Sequence, residues 1–154
     1  MKPDDYTIGR ATSLAAKWQF RELLLLADPS EEMIGRYLAE GDMFVWRDSD
    51  GVVIGEAVVD ATGEVKNLAV APAMQGRGWG RRILDDLCQH YKGVFSTLTV
   101  GTSSGGVAFY EKCGFRYSHT LRGFFTENYP EPVFEEEGRL CRDMVVLERI
   151  LQSE

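Results

Sequence analysis

Hydrophobic positions recur along the chain with two different spacings, which predicts alternating strands and helices. Short apolar runs, or runs with a period of two, bounded by turn residues are typical of strands. Such runs predict strands at 6–10, 42–47, 52–60, 64–70 and 94–100, one from Phe115 onward and a last one around 144–151. Short turn-rich segments separate the three strands between 42 and 70, so we expect an antiparallel meander there.

Apolar residues at helical spacing predict helices between these strands. Leu14, Trp18 and Leu25 mark a first helical region, and further helices are expected at 83–91 and 107–112. The segment Asp28-Pro29-Ser30-Glu31 predicts a helix start, with the aspartate as N-cap, the proline at the first helical position and the glutamate completing a capping box. Gly114 is expected in a left-handed conformation after the last of these helices. The order βααβββαβαββ predicts an α/β (α+β) fold, a mixed sheet with helices packed on it.

Composition limits the size of the protein and its classes of partner. The chain has 154 residues, 44% of them hydrophobic, which predicts one domain over residues 1–154. Its 17 basic and 24 acidic residues give a net charge of -7, which disfavours nucleic acid or anionic membrane as a main partner. Any anionic ligand must therefore be held by a local site.

Targeting and cysteine patterns favour a cytoplasmic protein with reduced thiols. Apolar runs such as 23–27 are far shorter than the ~20 residues that cross a bilayer. The segment 1–5 lacks the pattern of a signal peptide, so we expect a cytoplasmic location. Cys88, Cys113 and Cys141 are odd in number and form no CxxC pair, which predicts reduced, mostly buried thiols and no metal site.

The segment 65–82 contains the clearest sign of a ligand. A predicted strand leads into a loop with glycines at alternate positions, Gly76, Gly78 and Gly80, and the loop opens a helix. Glycines let the backbone approach a ligand, and a helix start offers N–H groups to an anion. Three arginines, Arg77, Arg81 and Arg82, add positive charge, so the segment predicts a phosphate site.

Three other interpretations of this glycine-rich loop are a Walker loop, a dinucleotide-binding loop and a turn that binds no ligand. A Walker loop needs a lysine followed by serine or threonine, which is absent, and the dinucleotide fingerprint GxGxxG fails on spacing. A glycine-rich turn without a ligand stays open, but it would not need the strand, the arginines and the helix start together.

Two motifs resemble a known family. Gln75-x-x-Gly78-x-Gly80 follows a strand ending in Leu68-Ala69-Val70, and Phe109-Tyr110-Glu111-Lys112-Cys113-Gly114-Phe115 comes about thirty residues later. This pair, in this order, resembles the GNAT superfamily of acetyl-CoA-dependent N-acetyltransferases, and the segments 124–125, 129–132 and 141–144 resemble small bacterial stand-alone members. The resemblance implies a mixed, mostly antiparallel seven-stranded sheet flanked by about four helices, with strands 4 and 5 splayed apart.

The resemblance also implies a set of cofactor-binding residues. The loop amides and the neighbouring arginines would hold the pyrophosphate of coenzyme A, and the strand before the loop would pair with its pantetheine arm. The Val70 amide would polarise the thioester carbonyl, as an oxyanion donor does. The residues implied are Leu68, Ala69, Val70, Gln75, Gly76, Arg77, Gly78, Trp79, Gly80 and Arg81.

Proton transfer would involve a tyrosine and a glutamate. Tyr110 stands at the family's usual general-acid position, and a phenol is protonated at neutral pH. Glu64 lies eleven positions before Gln75, an offset that matches the catalytic glutamate of the histone-acetyltransferase branch. Glu56 on the preceding strand is a second candidate base, and a water chain without any single base is a third possibility.

One departure from the family pattern concerns the pantetheine. Relatives often carry an asparagine three residues before the helix alanine, and this sequence has Gly105 there, counting back from Ala108. Ser103 or Ser104 would replace its hydrogen bond, or would cap the following helix instead. We expect weaker cofactor affinity rather than a changed reaction.

The segment 121–140 suggests the acceptor. It has five acids against two bases and four aromatic residues, namely Glu127, Glu131, Glu135, Glu136, Glu137, Arg122, Arg139, Phe124, Phe125, Tyr129 and Phe134. An acidic loop favours a cationic amine, such as a polyamine, an amino sugar or a peptide amine, although a solvated surface turn is the simpler explanation of the run Glu135-Glu136-Glu137. The aromatic residues need a surface to cover, which would be the acceptor, the core or a partner subunit, so a homodimer is one expectation. The predicted function is acetyl transfer to a primary amine, with an acyl-CoA-binding regulatory module as the alternative.

Overall fold

The computed structural model describes residues 5–135 and 137–151, so the segments 1–4 and 152–154 and the acidic-loop residue Glu136 lie outside the described residues. The described chain divides into two compact units. The first holds residues 5–61 and 65–87, and the second holds 62–64 and 88–151 apart from Glu136. The prediction of one domain over 1–154 stays a prediction.

The first unit contains four strands and the helices between them. Its elements are β1 (Tyr6–Ala11), α1 (Leu14–Trp18), α2 (Arg21–Ala27), α3 (Glu31–Leu38), β2 (Asp42–Asp48), β3 (Val53–Val59), most of β4 (Glu64–Val70) and most of α4 (Trp79–Tyr91). The strands lie in the order β1-β2-β3-β4, each antiparallel to the next. The predicted meander is therefore confirmed.

The two faces of this sheet are covered by different helices. Leu24 of α2 and Ile34 of α3 pack with Met43, Val45 and Val58 in one apolar cluster on the first face. These three strand residues share that face because side chains alternate along a strand. On the opposite face, residues of β1 and β2 bond to α4 through the carboxylate of Asp86. Burial on both faces explains why β3 is apolar along most of its length.

The first helical region is broken where one continuous stretch was expected. It ends at Trp18 and restarts at Arg21, so it forms two helices, α1 and α2. Lys17 shows why this turn is fixed, because its buried ammonium donates to the carbonyls of Leu38 at 2.8 Å and Gly41 at 2.7 Å. These carbonyls lie at the last residue of α3 and three residues beyond it, where a cation satisfies groups that the helix leaves without partners.

The predicted cap of α3 is wrong by two residues. Ser30, not Asp28, is the N-cap, and its hydroxyl accepts a hydrogen bond from the Met33 amide at 3.2 Å. Asp28 instead accepts from the Ser30 amide at 3.3 Å and from the Tyr37 hydroxyl at 3.0 Å. Both residues suit a cap, and Asp28 is instead engaged by the hydroxyl of Tyr37, near the end of the same helix.

The second unit has three strands in the order β5-β7-β6, and its neighbouring strands run antiparallel. Its elements are β5 (Thr97–Thr102), α5 (Val107–Lys112), β6 (Arg116–Leu121), α6 (Phe124–Asn128) and β7 (Met144–Ile150). The strand predicted at 94–100 begins three residues later, because Gly93 has a positive φ of 88° and Val94 is exposed in the turn that follows α4. Gly114 has φ 91° after α5, as predicted.

The helix α6 was not predicted. It has five residues, too few for a periodic signal, and it interrupts the loop that was expected to be irregular. Phe125 of this helix is buried, and its ring lies 5.4 Å from that of Phe124 and 5.5 Å from that of Tyr129. The three aromatic residues thus cover one another, whereas Phe134 is 60% exposed. Across the described residues, no helix has the length and apolar character that crossing a membrane requires.

Candidate active site

The end of β4 presents backbone groups to the edge that faces away from β3. The Ala71 amide donates to the Ile54 carbonyl at 2.8 Å, so this amide points toward β3. Since successive backbone groups of a strand point to opposite edges, the N–H and C=O groups of Leu68 and Val70 point the other way. An extended ligand chain at that edge would find the two residues predicted to pair with it.

The loop after β4 is tied back to this edge. A short 3-10 turn at Pro72–Met74 follows the strand. Gln75 then returns its side-chain amide to the Val70 carbonyl, Nε2 to O, at 3.0 Å. Gln75 therefore holds the start of the loop against the residue whose amide was predicted to act as an oxyanion donor.

The glycines of the loop adopt the conformation that their residue type permits. Gly76 has φ 78° and Gly78 has φ 85°, and a β-carbon at either position would meet no atom within 4 Å. The backbone conformation, not crowding within the protein, thus explains these glycines. The 13-residue α4 starts at Trp79, so the amides of 76–80 stand at the N-terminus of a long helix, where anions bind.

The side chains around the helix start have different roles. Arg77 and Arg81 are exposed and can reach an anion in front of the loop. Arg82 is bound to the rest of the unit, because its guanidinium lies over the Tyr6 ring at 5.5 Å and donates to the Tyr6 hydroxyl at 3.3 Å. The Trp79 ring packs edge-on against the same tyrosine at 5.2 Å. Trp79 and Arg82 thus anchor the helix start through their side chains.

In the second unit, Tyr110 lies on α5 with its ring between aromatic neighbours. The ring contacts Phe109 at 5.1 Å and Phe115 at 5.8 Å. Burial, with a smaller contribution from Cys113, raises the pKa of Tyr110 to about 12. The phenol therefore keeps its proton throughout the neutral range.

Glu135 explains why residue 105 is glycine. Its carboxylate accepts from the Gly105 amide at 2.7 Å, and a β-carbon at 105 would lie 2.9 Å from the same oxygen. The Ser103 and Ser104 hydroxyls also bond to this carboxylate, so neither caps the following helix by its side chain. Glu135 thus fills the space that a side chain at 105 would need.

The two candidate bases lie in different surroundings. Glu64 is the first residue of β4 and is half-buried. Glu56 lies in the middle of β3 with 0% exposure, and burial raises the pKa of its carboxyl to about 8. Both oxygens of Glu56 lack a hydrogen-bond partner in the described structure. This environment favours the neutral acid until a cation or a donor reaches it.

Comparison with known proteins identifies the family. A family model described as an acetyltransferase (GNAT) domain matches residues 39–117. The N-acetyltransferase YvbK of Bacillus subtilis (strain 168) is 35% identical over 133 residues, which are 82% of this chain and 85% of that protein. The chain belongs to the GNAT family of acetyltransferases.

Solved structures confirm the fold class of this acetyltransferase. A GNAT family acetyltransferase from Elizabethkingia anophelis with acetyl-CoA bound has a TM-score of 0.86 and 36% identity, covering 96% of this chain and 99% of that one. The IAA acetyltransferase from Bacillus cereus has a TM-score of 0.82 and 37% identity, covering 95% and 99%. The predicted mixed seven-stranded sheet is confirmed, and the splay of its fourth and fifth strands stays a prediction.

Acetyl-CoA is the cofactor of this GNAT acetyltransferase, as the family and its structures show. The residues of the first unit fit it. The outward edge at Leu68 and Val70 suits an amide-containing arm, and the positive-φ glycines at a helix start suit a pyrophosphate. The individual residue assignments stay predictions, including those of Ala69, Gly80, Ser103 and Ser104.

Sequence reasoning about the acetyltransferase missed two polar residues. Asn67 is 3% exposed on β4. The strand pattern predicted which side chains share a face of the sheet, but it did not predict that helices would bury that face. Glu135 was counted among acids facing an acceptor, but its carboxylate is engaged by Gly105 and Arg139 within its own unit. The sequence did contain one sign of the role of Glu135. Position 105 has a glycine where relatives often have an asparagine, and a glycine leaves room for the side chain of another residue.

Proposed function

We propose that this enzyme transfers the acetyl group of acetyl-CoA directly to the primary amine of a small acceptor within a ternary complex. The observation that carries the proposal is the edge of β4, where Leu68 and Val70 turn their amides away from β3 beside the Gln75-anchored loop. Such amides can hold a thioester arm and also stabilise charge on its carbonyl. A module that only binds acyl-CoA is the alternative.

Acetyl-CoA supplies an acetyl group activated as a thioester. The Val70 amide donates a hydrogen bond to the thioester carbonyl and stabilises the negative charge that develops when the amine attacks. The amides of 76–80, with Arg77 and Arg81, hold the pyrophosphate and so fix the position of the acetyl group. The N–H dipole of Val70 is fixed by the strand, so it stabilises the negative charge on the carbonyl oxygen without having to reorganise during the reaction.

Tyr110 serves the departing sulfur. Its pKa of about 12 lies above the ~8.5 of an ordinary thiol, so it acts best as a hydrogen-bond donor to the developing thiolate. The proton that ends on sulfur comes from the attacking nitrogen, either directly or through this phenol. Either Glu64 or Glu56 supplies the carboxylate that prepares the amine.

The deciding experiment follows thiol release from acetyl-CoA with a panel of acceptors. The panel contains alkylamines, polyamines, amino sugars, amino acids, peptides and IAA, the compound named for the Bacillus cereus relative. Thiol release that depends on an amine supports the proposal. Tight acetyl-CoA binding without such release on any acceptor favours the binding module.

Tyr110→Phe keeps the ring but removes the donor. We expect kcat to fall by ~10²-fold with the acetyl-CoA affinity within about twofold, because the hydrogen bond to sulfur forms mainly in the transition state. Steady-state kinetics and calorimetry measure both quantities. An unchanged kcat would remove Tyr110 from the mechanism.

Gly78→Asp tests the phosphate loop. The residue has φ 85°, and a carboxylate at this position would face the pyrophosphate, so acetyl-CoA affinity should fall by more than ~100-fold. Gly51→Asp is the matched control, since Gly51 has φ 83° in the turn before β3. If folded Gly78→Asp binds acetyl-CoA as the control does, the loop assignment is wrong.

Three further expectations belong to this proposal. The acceptor is a small or peptide amine and not a nucleic acid, the enzyme works in the cytoplasm, and it forms a homodimer. Phe134, which is 60% exposed, is a side chain that such a dimer interface could cover. Sedimentation of the wild type and of Phe134→Ser measures the oligomeric state.

A further inference from the structure

Two buried polar side chains of the first unit carry oxygen atoms without partners. Glu56 is 0% exposed and Asn67 is 3% exposed. Both carboxyl oxygens of Glu56 and the Oδ1 atom of Asn67 lack a hydrogen bond within the described residues. A buried acceptor without a donor costs free energy and is uncommon. Three such oxygen atoms on neighbouring strands therefore indicate that a ligand supplies the missing donors.

The two side chains share one face of the sheet. Glu56 pairs with Ala69 across β3 and β4, and Val58 pairs with Asn67. Residues directly opposite each other in an antiparallel pair share a face, as do residues two apart in one strand. Glu56 and Asn67 are therefore diagonal neighbours, with β-carbons ~7 Å apart. A single small group can reach both side chains.

The orientation of the Asn67 amide is fixed by its neighbours. Its Nδ2 atom donates to the Leu24 carbonyl at 3.0 Å and to the Tyr37 hydroxyl at 3.0 Å. A flipped amide would place Oδ1 against the Leu24 carbonyl, which cannot donate. Oδ1 must therefore stay on the side without a partner, as an acceptor held in place by α2 and α3.

The charged groups of the elements that pack on this face have contacts of their own. The Lys17 ammonium donates to carbonyls at the end of α3, and Asp28 accepts from the Tyr37 hydroxyl. The Arg47 guanidinium of β2 lies 5.7 Å from the ring of Phe20, in the turn between α1 and α2, and the Lys66 ammonium lies 5.7 Å from the Tyr37 ring. The other charged residues of α1–α3 are exposed. None of these cations bonds to Glu56.

We propose that Glu56 and Asn67 receive the primary ammonium group of the acceptor and that Glu56 takes its proton. The inference rests on the proposed function, which it deepens. A primary ammonium has three N–H donors, and the two side chains offer three acceptor oxygens. The buried residues Val45, Val58 and Ala69 surround Glu56 on this face, so the group next to the ammonium is an alkyl stem.

The proton transfer balances with the reaction. The ammonium gives one proton to the Glu56 carboxylate, which leaves a neutral amine and a neutral acid. The amine nitrogen forms a bond to the acetyl carbon as the carbon–sulfur bond breaks, and a proton from that nitrogen ends on the sulfur. Glu56 ends the turnover as the neutral acid in which it began, and the one proton released per turnover is the proton that Glu56 loses to solvent when the next ammonium binds. The pKa of about 8 fits this cycle, because the neutral acid is stable once the amine has left.

The test measures proton release without turnover. Butylamine is titrated into the protein saturated with coenzyme A at pH 7, by calorimetry in two buffers of different ionisation enthalpy. In the free protein Glu56 holds a proton at this pH, and the bound ammonium converts it to the carboxylate, so close to one proton is released per amine. Butyltrimethylammonium, which has no N–H donor, should bind at least ~10-fold more weakly.

Glu56→Gln removes the acid and keeps its shape. Proton release should vanish, and kcat/KM for the amine should fall by ~10²-fold or more, with acetyl-CoA affinity and folding retained. Glu40→Gln, at an exposed position after α3, is the matched control and should behave as the wild type does. Equal proton release in Glu56→Gln, absence of butylamine binding to the wild type, or equal binding of the trimethyl analogue would each overturn the inference.

The outcome also separates this inference from the proposed function. If the wild type releases a proton through Glu56 but no amine gives thiol, the ammonium site stands and the transfer is refuted. If amine-dependent thiol release is the same in Glu56→Gln as in the wild type, the transfer stands and the ammonium site is refuted.

Discussion

Two glutamates, one in each unit, show how the same side chain acquires opposite properties. Glu56 lies in β3 without a partner, and burial raises its pKa to about 8. Glu135 lies in the loop before β7, where hydrogen bonds from Ser103 and the Gly105 amide, with Arg139, lower its pKa to about 2. Loss of water governs the first, and donors that replace water govern the second.

Burial without donors lowers the stability of this protein at Glu56, and hydrogen bonding raises it at Glu135. A carboxylate with several donors helps to hold its loop, which is a structural role. A buried carboxyl without donors lowers stability whenever it ionises, so its retention is typical of a functional site. Glu135 therefore has a structural environment, whereas the environment of Glu56 supports the proposal that it takes part in the reaction.

The largest expected effect is on the pH dependence of stability at Glu56. Because its pKa is raised from 4.5 to about 8, folding loses stability as the pH rises from about 5 to 8. Glu56→Gln cannot ionise, so its stability should match the wild type near pH 5 and exceed it by on the order of 3 kcal/mol at pH 9. Denaturant unfolding at both pH values measures the difference.

The control for this experiment is Glu40→Gln, which changes the same group at an exposed site. It should show no comparable dependence on pH. If the stability difference of Glu56→Gln is the same at pH 5 and pH 9, Glu56 ionises normally and the contrast with Glu135 disappears.

Features that depend on residues close together in the sequence could be predicted, whereas features that depend on residues far apart in the sequence could not. The bounds of β4 and the conformation of Gly114 depend on local pattern, and both were predicted. The burial of Glu56 depends on helices more than a dozen residues away, so the strand pattern at 52–60 gave no sign of it. Asp28 was assigned to a cap and instead bonds to Tyr37, nine residues away near the other end of α3, a contact that the local capping pattern does not reveal.

In the candidate site, too, the features set by local sequence were predicted and those set by distant residues were not. The glycine loop was predicted because its signal is continuous in sequence, and its positive φ values confirm the expected backbone at Gly76 and Gly78. The contact of Glu135 with Gly105 joins residues thirty positions apart, which no spacing rule links. Asn67 was missed because an asparagine within a strand gives no sign of what covers it.

A middle-sized effect is expected at Glu135. Glu135→Ala leaves the Gly105 amide and Arg139 without their acceptor, and the Tm at pH 7 should fall by about 2–4 °C. The pKa of Glu135 is lowered, so its contribution is present above pH 4.5 and is lost as the pH falls toward about 2. The Tm difference should therefore shrink between pH 5 and pH 3 in a thermal series.

Glu137→Ala serves as the matched control, since Glu137 lies in the same loop and contacts Arg139 at 3.5 Å on the surface. Its Tm should change little. A larger loss in Glu137→Ala than in Glu135→Ala would show that charge in the loop, and not the bond to Gly105, provides the stability.

The smallest effect separates the two kinds of donor at Glu135. Arg139→Gln removes the exposed ion pair but keeps the bonds from Ser103 and Gly105, which contribute more to the lowered pKa. We expect the Tm at pH 7 to fall by about 1 °C or less, and salt to abolish the difference, because exposed ion pairs are weak and screened. Melting curves at low and high salt measure this. If Arg139→Gln costs as much as Glu135→Ala, the arginine holds the carboxylate, and the backbone amide of Gly105 does not set its pKa.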